Sequence, residues 1–161
     1  MGRPNLRRPR ARDFSFIFCT WFGLGRLPYV PGTWGSLGAL PFAWLLQAWG
    51  GPWLLASAAV VITFVAIVGI NHFLVHWPGD DPKEVVVDEV GGQWLTLVFV
   101  PPDLLLYLIG FVVFRFFDMT KIWPASWADR TLTGAPGVLI DDVFAGIYGM
   151  LTMLVLMHFW W

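Results

Sequence analysis

Two runs of this chain, Trp53 to Val75 and Val138 to Trp161, stay apolar for more than 20 residues each. A helix rises 1.5 Å per residue, so either run is long enough to cross the ~30 Å hydrocarbon layer of a bilayer. Three shorter apolar stretches, Gly35–Trp49, Val90–Val100 and Leu104–Phe117, can cross if tilted or extended, or can enter partway. Gly50-Gly51-Pro52 and Pro101-Pro102 interrupt the pattern at tight connections. Charged residues make up 13% of the chain, against roughly 25% in soluble domains. The expectation is an all-α protein, a polytopic membrane helical bundle of four or five membrane helices. Its 161 residues are one domain by length.

The charges set the orientation. All ten Lys and Arg fall in the N-terminal tail, near Arg26, at Lys83, or between Arg115 and Arg130, and the turns near Gly51 and Pro101 have none. An alternating path puts every basic segment on one side, which the positive-inside rule makes cytoplasmic. Residues 1–22, with Arg3, Arg7, Arg8, Arg10 and Arg12 ahead of a short aromatic stretch, read as a retained basic tail and interfacial segment. Residues 23–161 read as the membrane-embedded domain. The single Cys19 rules out an internal disulfide and lacks the following Cys-x5-Arg loop of a thiol phosphatase.

Within the apolar background, Arg115, Asp118, Lys121, Asp141 and Asp142 stand out. An ionisable side chain at the centre of a membrane helix costs about 2.5–3.5 kcal/mol, so such groups face a bundle interior or an aqueous boundary. Arg115, Asp118 and Lys121 recur at i, i+3, i+6, and a helical continuation puts them on one broad face. Arginine can grip two phosphate oxygens and lysine adds a point charge. Asp118 is suited to ligate Mg²⁺ or to act as nucleophile or base. An interfacial ladder of ion pairs accounts for the same pattern. Asp141 and Asp142 repel each other unless a cation lies between them, although acids also complement a helix N-terminus. Asp88-Glu89 is a second acidic pair on the same side, with the same two readings. Pro31-Gly-Thr-Trp-Gly-Ser36 opens an apolar helix with Thr33 and Ser36 as hydroxyl donors, in a Gly-rich turn able to approach an anion. His72 and His76 are at i, i+4, a spacing found in metal sites and at interfacial helix ends alike.

In this order the pieces resemble the phosphatidylglycerophosphatase A family of bacterial membrane lipid phosphatases. The resemblance runs from Gly23-Leu-Gly-Arg-Leu-Pro and Pro31-Gly-Thr-Trp-Gly-Ser36 through Asp88-Glu89 and Gly91 to Phe114-Arg115, Asp118, Lys121 and Pro124. Asp129-Arg130, Gly134, Gly137 and Asp141-Asp142-Val-Phe-Ala-Gly146 complete it. It implies Mg²⁺-dependent hydrolysis of phosphatidylglycerophosphate to phosphatidylglycerol and phosphate at the cytoplasmic face of the inner membrane. Implied metal ligands are Glu89, Asp118, Asp141 and Asp142, with Arg115, Lys121, Thr33 and Ser36 on the phosphate. Arg115, Asp118, Lys121 and Asp142 are the implied catalytic groups, working by direct water attack or through Asp118 as nucleophile. Ile122 and Ala135 stand where the family usually has Pro and Gly, and Pro136 is unusual; all three lie in the loop between the charged blocks.

Other classes fit less well. The Asp-Gly-x2-Ala-Arg motif of membrane phosphotransferases is absent, as is the Pro-Ser-Gly-His motif of another lipid phosphatase family. A small transporter or binding protein for an ion or phosphorylated metabolite would also use intramembrane acids, but here the charges gather at one surface. Partners are the bilayer and its lipid; no nucleic acid is expected, and the sequence leaves the oligomeric state open.

Overall fold

The computed structural model describes residues 14–76, 83–132 and 134–160; the arginines of the basic tail lie outside them. Every regular element among the described residues is helical. In chain order they are α1 (Phe14–Cys19), a 3-10 turn (Leu24–Arg26), α2 (Pro31–His76), α3 (Val87–Leu97), α4 (Leu104–Thr120), α5 (Ala125–Thr131) and α6 (Ala135–Trp160). Two of them, α2 and α6, are long and apolar enough to cross a membrane.

α2 is two arms. At Gly51 the backbone has φ 66° and ψ −163°, a conformation open to glycine and to little else, and Pro52 follows. The arms fold back on each other, because both stand against the same N-terminal segment. Gly38 in the first arm abuts Trp21 and Leu24, while Gly69 in the second abuts Phe18 and Cys19. The apolar stretches Gly35–Trp49 and Trp53–Val75 thus become one helical hairpin with its turn at Gly50-Gly51-Pro52.

α3 is the central element, packed chiefly between α2 and α6. Nine of its residues are buried, from Val87 to Leu97. At 11 residues it is about 16 Å long, too short to cross a bilayer on its own. Side-chain hydrogen bonds to main-chain carbonyls hold it in register. Trp94 Nε1 donates to the Ala39 carbonyl at 3.0 Å, and Gln47 Nε2 donates to Val98 and Val100, each at 3.1 Å. Thr96 Oγ1 reaches the Gly92 carbonyl at 3.2 Å and that of Gly146, on α6, at 3.3 Å.

The α3–α6 contact is backbone against backbone. A Cβ at Gly146 would stand 2.6 Å from the Gly92 carbonyl oxygen and 3.0 Å from its Cα. Small residues at helix interfaces permit this closeness in apolar surroundings. The segment between α4 and α6 forms the short helix α5 and a turn through Gly134, where φ is 73°. Ala135 and Pro136 then open α6, and proline in a first helical turn removes no needed N–H bond. The family departures at Ala135 and Pro136 therefore fall where a helix start accommodates them.

Gly146→Val should lower stability by about 1–3 kcal/mol, because the added side chain meets main chain that cannot yield. Thermal unfolding of the purified protein in detergent checks this, with Leu151→Val on the exposed face of α6 expected to stay close to wild type.

Candidate active site

The site forms where helix ends converge. Asp88 and Glu89 occupy the first turn of α3, but the helix N-cap is Val86 and no side chain caps it. The Val86 amide instead donates to the Cys19 carbonyl at 2.9 Å, fixing the start of α3 against α1. Asp88 and Glu89 thus also complement the positive end of α3. Asp141 and Asp142, by contrast, are not at a helix start, since α6 begins at Ala135 and has no acid in its first turn.

One carboxylate oxygen from each of Asp88, Glu89 and Asp142 lies within 4.8 Å of the others. Asp88 Oδ1, Glu89 Oε2 and Asp142 Oδ1 are buried and accept no hydrogen bond. Three carboxylates this close repel one another, and burial removes the water that would screen them. A hard divalent cation with oxygen ligands fits both the donor set and its unused lone pairs.

α4 brings the basic side of the site. Arg115 Nη1 is 2.5 Å from Asp118 Oδ2 and 4.0 Å from Glu89 Oε1, and all three side chains are largely buried. Lys121 departs from the continuous helical face expected of the i, i+3, i+6 spacing. α4 stops at Thr120, and Lys121 adopts φ 44° and ψ 55°, a left-handed cap conformation. That turn swings its Nζ to 2.8 Å from Asp141 Oδ2 on α6. The two adjacent acids of α6 thus take different partners: Asp141 faces Lys121, while Asp142 lies in the field of Asp118 and Glu89.

The Gly-rich start of α2 closes the remaining side. A Cβ at Gly32 would run into Glu89 Oε1 and lie 3.1 Å from Arg115 Nη1, so glycine here leaves the charged pair in place against α2. Thr33, half-buried, is next in the chain. Ser36 is fully buried and donates its hydroxyl to the Gly32 carbonyl at 2.9 Å, a bond within the helix. Outside this cluster, burial pushes the Cys19 thiol up to about 12, which keeps it an unreactive packing residue. His72 Nδ1 is 3.1 Å from Ser15 Oγ at the α1–α2 contact; the side chain of His76 lies outside the described residues.

Asp88, read in the sequence as half of an acidic pair but left out of the ligand set the resemblance implies, joins Glu89 and Asp142 in the carboxylate cluster. The signal was the pair itself: consecutive helical residues are about 100° apart, so both can border a cleft between two neighbouring helices. Gln93, one turn beyond Glu89, gave no signal. It is fully buried with neither amide atom hydrogen-bonded.

Long apolar helices around a buried cluster of acids, with an arginine and a lysine beside it, define a helical enzyme of phosphate-ester chemistry. Comparison with known proteins gives the family. The profile of phosphatidylglycerophosphatase A matches residues 17–157. A phosphatidylglycerophosphatase A of Escherichia coli strain K12 is 40% identical over 146 residues, 89% of this chain and 84% of that protein. One from Haemophilus influenzae is 27% identical over 143 residues, 88% of each chain. A Bacteroides thetaiotaomicron protein named "Putative phosphatidylinositol-3-phosphatase" is 36% identical over 159 residues, 91% of this chain and 95% of that one. No solved structure matches significantly. The chain belongs to the phosphatidylglycerophosphatase A family, and it is a phosphatase, as its motifs imply.

Asp88→Asn should weaken divalent-cation binding by at least about tenfold while leaving helix content unchanged. Titration calorimetry with Mg²⁺ and circular dichroism on the same sample measure the two quantities.

Proposed function

We propose that this phosphatidylglycerophosphatase works as a Mg²⁺-dependent phosphomonoesterase at the cytoplasmic surface of the bacterial inner membrane. The observation that carries the reading is the set of buried, unpaired oxygens on Asp88, Glu89 and Asp142 beside the Arg115–Asp118 pair. Asp88, Glu89 and Asp142 would hold the Mg²⁺ ion, which when bound would supply positive charge to phosphate oxygens and acidify water.

The chain's own residues do the rest. Arg115, at the junction of Glu89, Asp118 and Gly32, binds two phosphate oxygens and neutralises charge that builds on them as the ester bond breaks. Lys121, held over the site by its turn and by Asp141, adds a second positive charge at the mouth. Asp118 is oriented by Arg115 and accepts the proton of the attacking water through its other oxygen. Thr33 at the rim donates its hydroxyl to the phosphate. Ser36 supports that rim from inside by holding the first turn of α2 together.

In this reading the two arms of α2, α4 and α6 cross the bilayer while the shorter α3 enters partway, so that the starts of α2, α3 and α6 and the end of α4 would meet on the side carrying Arg26, Lys83 and Arg130. α3 is too short to face lipid along a full crossing, and it is enclosed by α2, α4 and α6. The relative named for phosphatidylinositol-3-phosphate chemistry shares with the other two a phosphomonoester on a glycerolipid. That makes lipid phosphomonoesters with other headgroups the first alternative substrates to assay.

Purified protein in mixed micelles should release inorganic phosphate from phosphatidylglycerophosphate with Mg²⁺, and chelation by EDTA should stop it. Asp118→Asn should reduce kcat by about 10²–10⁴-fold. Full activity in EDTA, or in Asp118→Asn, would remove the proposal.

A further inference from the structure

A groove of about 580 Å³ runs between the first arm of α2 and the start of α4. Its walls are Leu37, Leu40 and Trp44 on α2 against Tyr107 and Leu108 on α4. The volume is in the range of ligand-binding clefts, and the lining is almost wholly apolar. Tyr107 is the exception. Its ring packs edge-on to Trp44 at 5.2 Å, and its buried hydroxyl has no hydrogen-bond partner.

Helical spacing joins this groove to the active site. On α2, Leu37 is one turn from Thr33, and Leu40 and Trp44 continue the same stripe. On α4, Leu108 leads through Phe111 to Arg115 in steps of three and four residues. The groove therefore lies along the helix faces that carry Thr33 and Arg115, with Leu37 the lining residue one turn from Thr33. Leu108 is seven residues from Arg115, about 10 Å deeper along the helix axis. That is within one leaflet of the ~30 Å hydrocarbon layer. A cationic head and an apolar trough leading away from it complement one kind of molecule, an anionic lipid lying along the helices.

We propose that the α2–α4 groove binds one acyl chain of the lipid phosphomonoester, so that substrate enters sideways from the bilayer with its chain between Leu40 and Leu108. The inference rests on the phosphatase reading above and deepens it by assigning recognition of the lipid anchor. Leu108 is partly exposed on the groove wall and Leu37 likewise, so enlarging either side chain narrows the groove without touching the charged cluster.

The test compares dipalmitoyl and dibutyryl phosphatidylglycerophosphate as substrates for wild type, Leu108→Trp, Leu37→Trp and the control Leu151→Trp, which lies on an exposed face of α6. The groove variants should lose on the order of tenfold in kcat/KM for the dipalmitoyl lipid, through KM, and stay within about twofold of wild type for the dibutyryl lipid. The control should match wild type on both. An unchanged ratio between the two lipids overturns the groove assignment while leaving the phosphatase reading intact. So does an equal loss on both lipids, or a change of oligomeric state seen by sedimentation, which would make the groove an interface between copies. A wild-type protein inactive on both lipids overturns both proposals.

Discussion

Asp88, Glu89 and Asp142 place three carboxylates within 4.8 Å of each other in a bundle of apolar helices, and the rest of the architecture makes that possible. In such surroundings the repulsion between them is poorly screened, and each charge has lost most of its hydration. α3 answers this by being short. This 11-residue helix is packed chiefly between α2 and α6, and its first-turn acids are buried or half-buried against them. Arg115 then brings a counter-charge to Glu89 and Asp118 from α4, and Lys121 brings another to Asp141. Asp88, Glu89 and Asp142 each keep a buried oxygen without a hydrogen-bond partner, a donor type that suits a hard cation.

Glycine contacts tie that site to the fold. Gly92 touches the main-chain carbonyl of Asp142 and the Phe114 ring, and Gly146 touches Gly92 in return. Asp142 and the residue preceding Arg115 are thereby positioned by the same point of close approach, one turn beyond Asp88. Gly32 does the same from the opposite side, admitting the start of α2 against Glu89 and Arg115. A side chain at Gly92 or Gly146 would separate helices that carry the charged groups, and one at Gly32 would displace the Glu89 carboxylate. The distances at the site depend directly on backbone packing several residues away.

Much of this is legible in the sequence, for identifiable reasons. Apolar run length and the Gly50-Gly51-Pro52 and Pro101-Pro102 breaks predict the long helices, since hydropathy and helix-breaking residues act locally. The lysine and arginine distribution groups the charged segments on one side before any contact is known. Lys121 is the instructive departure. Periodicity extends α4 through it, whereas the chain turns there into a left-handed conformation to meet Asp141, a tertiary partner that periodicity does not encode. The division of labour between Asp141 and Asp142 is hidden for the same reason: adjacent identical residues differ only in which neighbouring helix each one faces. Asp88 and Gln93 need the packing of α3 against α2 and α6 before their burial is apparent.

α4 links the polar and apolar halves of the molecule. Its C-terminal turns carry Arg115 and Asp118, and its N-terminal turns carry Tyr107 and Leu108 on the groove wall. A helix is stiff over this length, so the separation between the Arg115 guanidinium and the groove is fixed by residue count and not by loop conformation. The first arm of α2 imposes a parallel ruler, from Thr33 to Trp44, on the other side. A lipid whose phosphate met Arg115 with its chain in the groove would have its headgroup depth set by both helices at once. A soluble phosphomonoester can satisfy the charged end alone. With the proposed groove occupied, discrimination between the two would come from the apolar contacts, because the charged cluster would meet only the phosphate they have in common.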